Sequence, residues 1–194
     1  MKNLGYACIN MGFSSRPKSK RITTNRSMIK RTFHQKGITY ASELALMNVQ
    51  DLYKILEWNL ANDISFYRLS SDIIPWASEY QMEELPDYRE ILDTCQMVGS
   101  FAKKHGMRLT AHPGHFNKLA SPKERVFQLT YKDLKVHADL FDMIGLDRSP
   151  FAKLNIHVGA AYGDKPFALD NFCRNFERLP ESVRSRLTVE NDDK

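Results

Sequence analysis

Three short, largely apolar stretches of this sequence each run into a residue able to bind a metal ion. Arg108-Leu109-Thr110-Ala111 leads to His112-Pro113-Gly114, Lys153-Leu154-Asn155-Ile156 to His157-Val158-Gly159, and Leu187-Thr188-Val189 to Glu190-Asn191-Asp192. Two imidazoles and a carboxylate form a donor set that suits zinc, manganese or iron, and carboxylate shifts the preference toward manganese. A lone histidine is more often a packed core residue than a ligand. Two histidines and a glutamate at three equivalent places read instead as a metal centre, with His112, His157 and Glu190 as its metal-binding and catalytic residues. Glu79, which follows the stretch Phe66-Tyr67-Arg68-Leu69, is a further candidate ligand; its plainer alternative is an exposed loop acid. His115, with Phe116 beside it, lies three residues past His112 on the Pro-Gly corner and is placed to reach a substrate. His34 and His105 lack such a setting and are expected at the surface. His137 falls in a helical pattern and is expected to pack or to face solvent.

Ligands at equivalent positions need elements that repeat. Proline and glycine break the chain sharply after the His112 stretch, and helical periodicity separates the apolar stretches. Leu44, Met47, Leu52, Ile55, Leu56 and Leu60 recur at spacings that fit a helix over about residues 41–62, and Ile91, Cys95, Val98 and Phe101 one over 88–104. Further helices are expected over about 121–144, with Pro122 at the first position, and over about 168–179. Strands are expected at 4–9, 66–69, 108–111, 153–156 and 187–189. Such alternation argues for a parallel α/β architecture. In a TIM (β/α)8-type barrel the carboxyl ends of the strands converge on one face, where active sites lie. A complete barrel has eight strands; five are legible here, so residues 1–194 read as a single domain truncated from a larger barrel.

The net charge of +5 hides an asymmetry. Residues 1–42 hold nine lysines and arginines and no acid, leaving 19 basic against 23 acidic residues in the remainder. Much of that charge falls in a basic loop expected over 13–38, with a helical turn expected around Asn25 to Phe33. Clustered positive charge reads either as a solvated surface or as a phosphate-binding one, with Lys18, Lys20 and Arg21 as candidate DNA contacts. Tyr6 in the first strand and Asn10 at its exit lie where an aromatic ring and an amide would meet an unstacked base. No apolar run approaches the roughly 18 residues of a membrane helix. The N-terminus has no long apolar leader, which favours an intracellular protein. Three widely spaced cysteines, Cys8, Cys95 and Cys173, suit a reducing compartment and are expected to be buried thiols.

An ordered set of five motifs resembles the UV damage endonucleases: Tyr67-Arg68-Leu69-Ser70-Ser71-Asp72, Leu109-Thr110-Ala111-His112-Pro113-Gly114, Ala120-Ser121-Pro122-Lys123-Glu124, the run Asn155 to Lys165, and Leu187-Thr188-Val189-Glu190-Asn191-Asp192-Asp193. The resemblance covers essentially the whole chain. It implies a TIM-barrel repair nuclease that nicks double-stranded DNA immediately 5′ to UV photoproducts with two or more divalent ions, chiefly Mn2+, and works as an intracellular, DNA-associated monomer. It implies that His112, His157 and Glu190 ligate metal, and that Tyr6, Asn10, His115 and Phe116 probe the damaged bases. Two departures stand out. Glu79 occupies the region where the family carries a histidine ligand, and His115 stands where it usually carries glutamine. Ligands from later strands are absent from these 194 residues, which leaves a catalytically inactive DNA-binding fragment as one alternative. Another metal-dependent barrel, an abasic-site endonuclease or a sugar isomerase, is the other. The isomerase reading leaves the basic segment unexplained.

Overall fold

The computed structural model describes residues 4–14, 17, 20–159 and 161–191. Its strands are β1 (Gly5–Ala7), β2 (Phe66–Leu69), β3 (Arg108–Ala111), β4 (Leu154–His157) and β5 (Leu187–Glu190), hydrogen-bonded in sequence order. The pairs whose register is defined are all parallel. Its α-helices are α1 (Met11–Ser14), α2 (Lys30–Ala61), α3 (Tyr88–Lys104), α4 (Glu124–Ile144), α5 (Lys165–Glu177) and α6 (Glu181–Arg184). Contacts divide the chain into two compact units, Met1–Leu109 with Met143–Leu146 and Thr110–Asp142 with Asp147–Lys194. The boundary falls within β3. Among the described residues no helix is long and apolar enough to cross a membrane.

In the first unit β1 lies on β2 with Tyr6 opposite Tyr67. Ala41, Leu44, Ala45, Leu52, Ile55 and Leu56 of α2 are buried, as are Ile91, Cys95, Val98 and Ala102 of α3; of the residues expected on these stripes from their spacing, Met47 and Leu60 are exposed and Phe101 is half-buried, because they lie at the margins of the inward faces. The α2 helix begins earlier than that spacing suggests. It starts at Lys30 and is broken at Gly37, whose φ of 65° and ψ of −161° belong to a region essentially reserved for glycine.

The segment expected as a basic loop over 13–38 is therefore partly helical, and what lies between is pinned rather than free. Thr24 is fully buried, its hydroxyl 2.7 Å from Ser70 Oγ and 3.2 Å from the Tyr67 hydroxyl. Arg26 pairs with Asp51 at 2.6 Å and donates to the Thr23 and Arg21 carbonyls. Asn48 receives the Arg26 amide and donates back to its carbonyl. Trp76 donates to the Met28 carbonyl and stacks on Phe33 with ring centroids 5.3 Å apart.

In the second unit α4 buries Phe127, Leu134, Ala138 and Phe141. It begins at Glu124, so Pro122 precedes the helix instead of opening it. The α5 helix starts three residues before the position suggested by its apolar residues. Asp164 caps it by accepting from the Phe167 amide at 3.0 Å, and Pro166 lies in the first turn; both are helix-start devices. Cys95 is buried and Cys8 half-buried, but Cys173 is exposed. The α5 residues that face inward are Ala168, Asn171 and Asn175, and position 173 falls off that stripe.

Arg186, the residue before β5, is fully buried. Its guanidinium donates to the carbonyls of Asp147, Ala138 and Ser182 and to Asp142 Oδ1 at 2.8 Å, while its own carbonyl accepts from the Leu154 amide at 2.9 Å. Asp142 also receives Arg148 at 2.7 Å. Partial burial raises its carboxyl, but the hydrogen bonds and charges of the two arginines outweigh that and leave it below the ordinary aspartate range. A buried charge that loses its matched partners is strongly destabilising. We expect Arg186→Ala to lower unfolding stability by about 3–5 kcal/mol, and Arg186→Lys to recover only part of the loss because an ammonium cannot span acceptors on several sides. Denaturant midpoints measure both; an Arg186→Ala loss within ordinary surface-mutation scatter would disprove the anchoring role.

Candidate metal centre

The parallel ladder of β4 and β5 sets the site. Asn155 is opposite Thr188 and His157 opposite Glu190. Because strand side chains alternate, these four share one face while Leu154 and Ile156 are buried on the other. β3 adds its own tip, since Ala111 is opposite Leu154 and His112 follows directly. Ligand atoms of His112, His157 and Glu190 all lie within 4.8 Å of one another. The two imidazole centroids are 5.1 Å apart at 61°.

The hydrogen bonds indicate what this cluster can hold. His112 Nδ1 is 3.1 Å from the Pro113 carbonyl. A carbonyl can only accept, so Nδ1 carries a proton and donates. In the neutral ring Nε2 is then a lone pair, and it faces Glu190 Oε2 at 3.4 Å. Two acceptors turned toward each other repel unless a proton or a cation lies with them. A ligating histidine that gives its other N–H to a backbone carbonyl is the usual arrangement at metal sites, so the donor set fits a divalent ion. The Glu190 carboxyl is half-exposed. Desolvation pushes its pKa up, but the hydrogen bond from Asn155 and, when a proton rather than a metal ion occupies the rings, the hydrogen bond of His112 and the charges of His157 and His112 outweigh it and hold the carboxyl below its ordinary range.

Other candidate residues have different settings. In the second unit His115 and Phe116 are exposed, with centroids 6.2 Å apart. A Cβ on Gly114 would come within 2.3 Å of the Phe116 ring, so this corner needs glycine for the ring to fold back over it. In the first unit Tyr6 is not a loose ring. Its hydroxyl donates to Asn59 at 2.7 Å and accepts from Asn10 Nδ2 at 2.7 Å, and its ring meets Tyr67 edge-on. Asn10 is buried and accepts from the Gly12 amide. Burial raises the Tyr6 hydroxyl pKa despite these bonds. Glu79 is exposed on a 3-10 turn, Ala77–Glu79, of the first unit and is not among the three clustered ligands. Lys20 and Arg21 are exposed; Lys18 lies outside the described residues. His34 is exposed, His105 half-buried, and His137 buried with Nδ1 2.8 Å from the Asp133 carbonyl.

Residues 2–194 match the protein family described as UV-endonuclease UvdE. The chain belongs to the UvdE family. Within it, the chain is 33% identical over 191 residues to the UV DNA damage endonuclease of Clostridium perfringens (strain 13 / Type A), covering 98% of this chain and 43% of that protein. It is 35% identical over 192 residues to the UV-damage endonuclease of Schizosaccharomyces pombe (strain 972 / ATCC 24843), covering 98% of this chain and 31% of that one. The crystal structure of SacUVDE superposes with a TM-score of 0.84 at 30% identity, covering 98% of this chain and 61% of that chain. The five parallel strands are thus those of the UvdE fold, a TIM-barrel type. The chain spans less than two thirds of the length of these relatives.

Two residues next to the UvdE cluster escaped sequence reading. Asn155 and Thr188 sit two positions before His157 and Glu190, and the polar–apolar alternation of both strands was the signal that points to them.

The depressed Glu190 carboxyl has a testable sign. A group whose folded pKa lies below its unfolded value contributes stability that is complete above the unfolded value and is lost as pH falls through the folded one. In the metal-free chain, carboxyl 13C NMR should place the Glu190 midpoint below that of an ordinary glutamate, and a His112→Gln, His157→Gln double variant should move it up. A midpoint at or above the ordinary value would mean that desolvation wins.

Proposed function

We propose that this UvdE-family chain forms part of a metal-dependent endonuclease that nicks double-stranded DNA immediately 5′ to UV photoproducts, with manganese as the preferred ion. The convergence of His112, His157 and Glu190 at the tips of three neighbouring strands carries this reading; family membership and the names of the relatives support it. His112 Nε2, His157 and the Glu190 carboxylate would hold the ion. A divalent ion so bound supplies Lewis-acid stabilisation of a phosphoryl oxygen and a water acidified enough to attack phosphorus. The protein's part is to present neutral imidazoles and an ionised carboxylate together. The Pro113 carbonyl does so for His112 by fixing its tautomer.

His115 and Phe116, exposed on the corner that follows His112, would meet the lesion. A photoproduct weakens stacking and pairing, so extruding it costs less than extruding a normal base. Tyr6 and Asn10 would contribute as a rigid hydrogen-bonded pair, its tyrosine hydroxyl already engaged on both sides. Lys20 and Arg21 would contact phosphates, with Lys18 beside them in sequence. Arg26 would not: its charge is spent on Asp51 and two backbone carbonyls. The protein is proposed to act as an intracellular monomer.

Irradiated supercoiled plasmid tests the reaction. With Mn2+ the protein should convert it to nicked circles with ends mapping 5′ to the photoproducts, leave unirradiated plasmid intact, and stop on chelation. His157→Ala should cost more than the roughly 10–100-fold typical of residues that merely support a ligand. Equal nicking by His157→Ala would remove that residue from the centre. Cleavage confined to abasic plasmid would favour the abasic-site alternative, and damage-selective binding without nicking would favour a non-catalytic role.

The charge assignments separate in a second experiment. Phosphate contacts position a protein without carrying sequence information. A Lys20→Gln, Arg21→Gln variant should therefore bind damaged and intact duplex more weakly by the same factor, and flatten the logarithmic salt dependence by roughly one to two phosphate equivalents. Arg26→Gln should instead lower the unfolding midpoint. A selective loss of damaged-DNA binding from the double variant would contradict the assignment.

A further inference from the structure

Below the three converging ligands, the shared face of β4 and β5 carries a pair of polar residues with a fixed direction. Thr188 Oγ1 donates to Asn155 Oδ1 at 2.8 Å, and Asn155 Nδ2 donates to Glu190 Oε2 at 2.7 Å. Chemistry dictates the order. An ionised carboxylate only accepts, so the amide must turn its NH2 group toward Glu190. Its oxygen then faces the other way, where only a donor can satisfy it. Thr188 is opposite Asn155 in the ladder and supplies that donor. Reversing the amide would set a carbonyl oxygen against a carboxylate.

We propose that Thr188 and Asn155 are positioning residues that fix the Glu190 carboxylate for metal binding. This rests on the metal-centre reading above. Glu190 ends an edge of the described sheet, is half-exposed, and has three side-chain torsions to order. Asn155 has two, and threonine, branched at Cβ, is stiff about its first torsion. Each partner in the relay is therefore less mobile than the one it holds. The Asn155 bond takes one lone pair of Oε2, and the same oxygen faces His112 Nε2 at 3.4 Å. The relay thus aims the carboxylate at the imidazoles before any ion arrives, so binding does not have to order it. Neither Asn155 nor Thr188 is a ligand.

Mn2+ affinity of the 194-residue chain, read by electron paramagnetic resonance of free Mn2+, tests this, with thermal melts as a control for folding. Asn155→Leu should weaken binding by about 10-fold or more, within the 10–100-fold range known for partners that orient a ligand. Thr188→Val, nearly isosteric, should weaken it by a smaller factor, and Thr188→Ser should restore wild-type affinity. Because threonine acts through the amide, Thr188→Val should add nothing in the Asn155→Leu background. Unchanged affinity in Asn155→Leu, or an undiminished Thr188→Val penalty in the double variant, overturns the relay. Should Asn155→Leu fail to fold, the contrast between Thr188→Val and Thr188→Ser decides alone: equal affinities overturn it. His157→Ala separates the two levels of inference. If it leaves Mn2+ affinity unchanged, or the unaltered chain binds no Mn2+, the metal reading fails and the relay with it. If it abolishes binding while Asn155→Leu and Thr188→Val do not affect it, the relay alone fails.

Discussion

The register of β5 on β4 is the constraint on which the candidate centre depends. Parallel strands hold their side chains at a period of two, and a slip of one residue turns each inward side chain outward. Here such a slip would move Glu190 away from His157 and put Val189 in its place. The ladder is closed at one end by the Leu154 amide on the Arg186 carbonyl and at the other by the Val158 amide on the Glu190 carbonyl. Backbone bonds alone would form equally well one register away. Arg186 removes that freedom. Its guanidinium is fully buried among carbonyls and Asp142, and a shifted strand would have to place Ser185 or Leu187 among acceptors that only a guanidinium satisfies together.

That anchor and the candidate centre occupy opposite ends of one four-residue strand. Arg186 is spent on packing, with its partners fixed; Glu190 is half-exposed and flanked by imidazoles. The contrast follows from what each charge is for. A buried guanidinium holds a structure only when its donors are satisfied. A metal-binding carboxylate must keep lone pairs available, so it cannot be as fully engaged as Arg186 is. A single hydrogen bond from Asn155 is a middle course: enough to choose a rotamer, too little to occupy the group.

Much of this was legible in the sequence because it is periodic. The succession of parallel strands, the buried helix positions Leu44, Leu52, Ile55 and Leu56 and Ile91, Cys95 and Val98, and the clustering of three candidate ligands all follow from spacing and from the type of residue at each strand tip. What was not legible is what depends on distant partners. The basic segment illustrates it. Charge counting treats Arg26 and Arg21 alike, yet Asp51, 25 residues after Arg26, claims the first for the interior. The helical piece that starts at Lys30 is set off from the rest of α2 by the break at Gly37.

The pattern inside the site was legible in a form that ligand-spotting overlooks. Each candidate ligand is preceded, two residues earlier, by a neutral polar residue: Thr110 of β3 before His112 just beyond it, Asn155 before His157 on β4, and Thr188 before Glu190 on β5. A period of two keeps the Asn155–His157 and Thr188–Glu190 pairs on one face, so β4 and β5 carry a polar layer beneath the candidate ligands at their tips. In a parallel sheet covered on both sides such positions are ordinarily apolar. A neutral hydrogen-bonding layer under a charged cluster is what the electrostatics require. Apolar residues there would leave the carboxylate without a donor, and charged ones would either neutralise it or compete for its ion. Threonine and asparagine satisfy both limits, and in the Thr188–Asn155–Glu190 chain the direction of every hydrogen bond follows from the one group that can only accept.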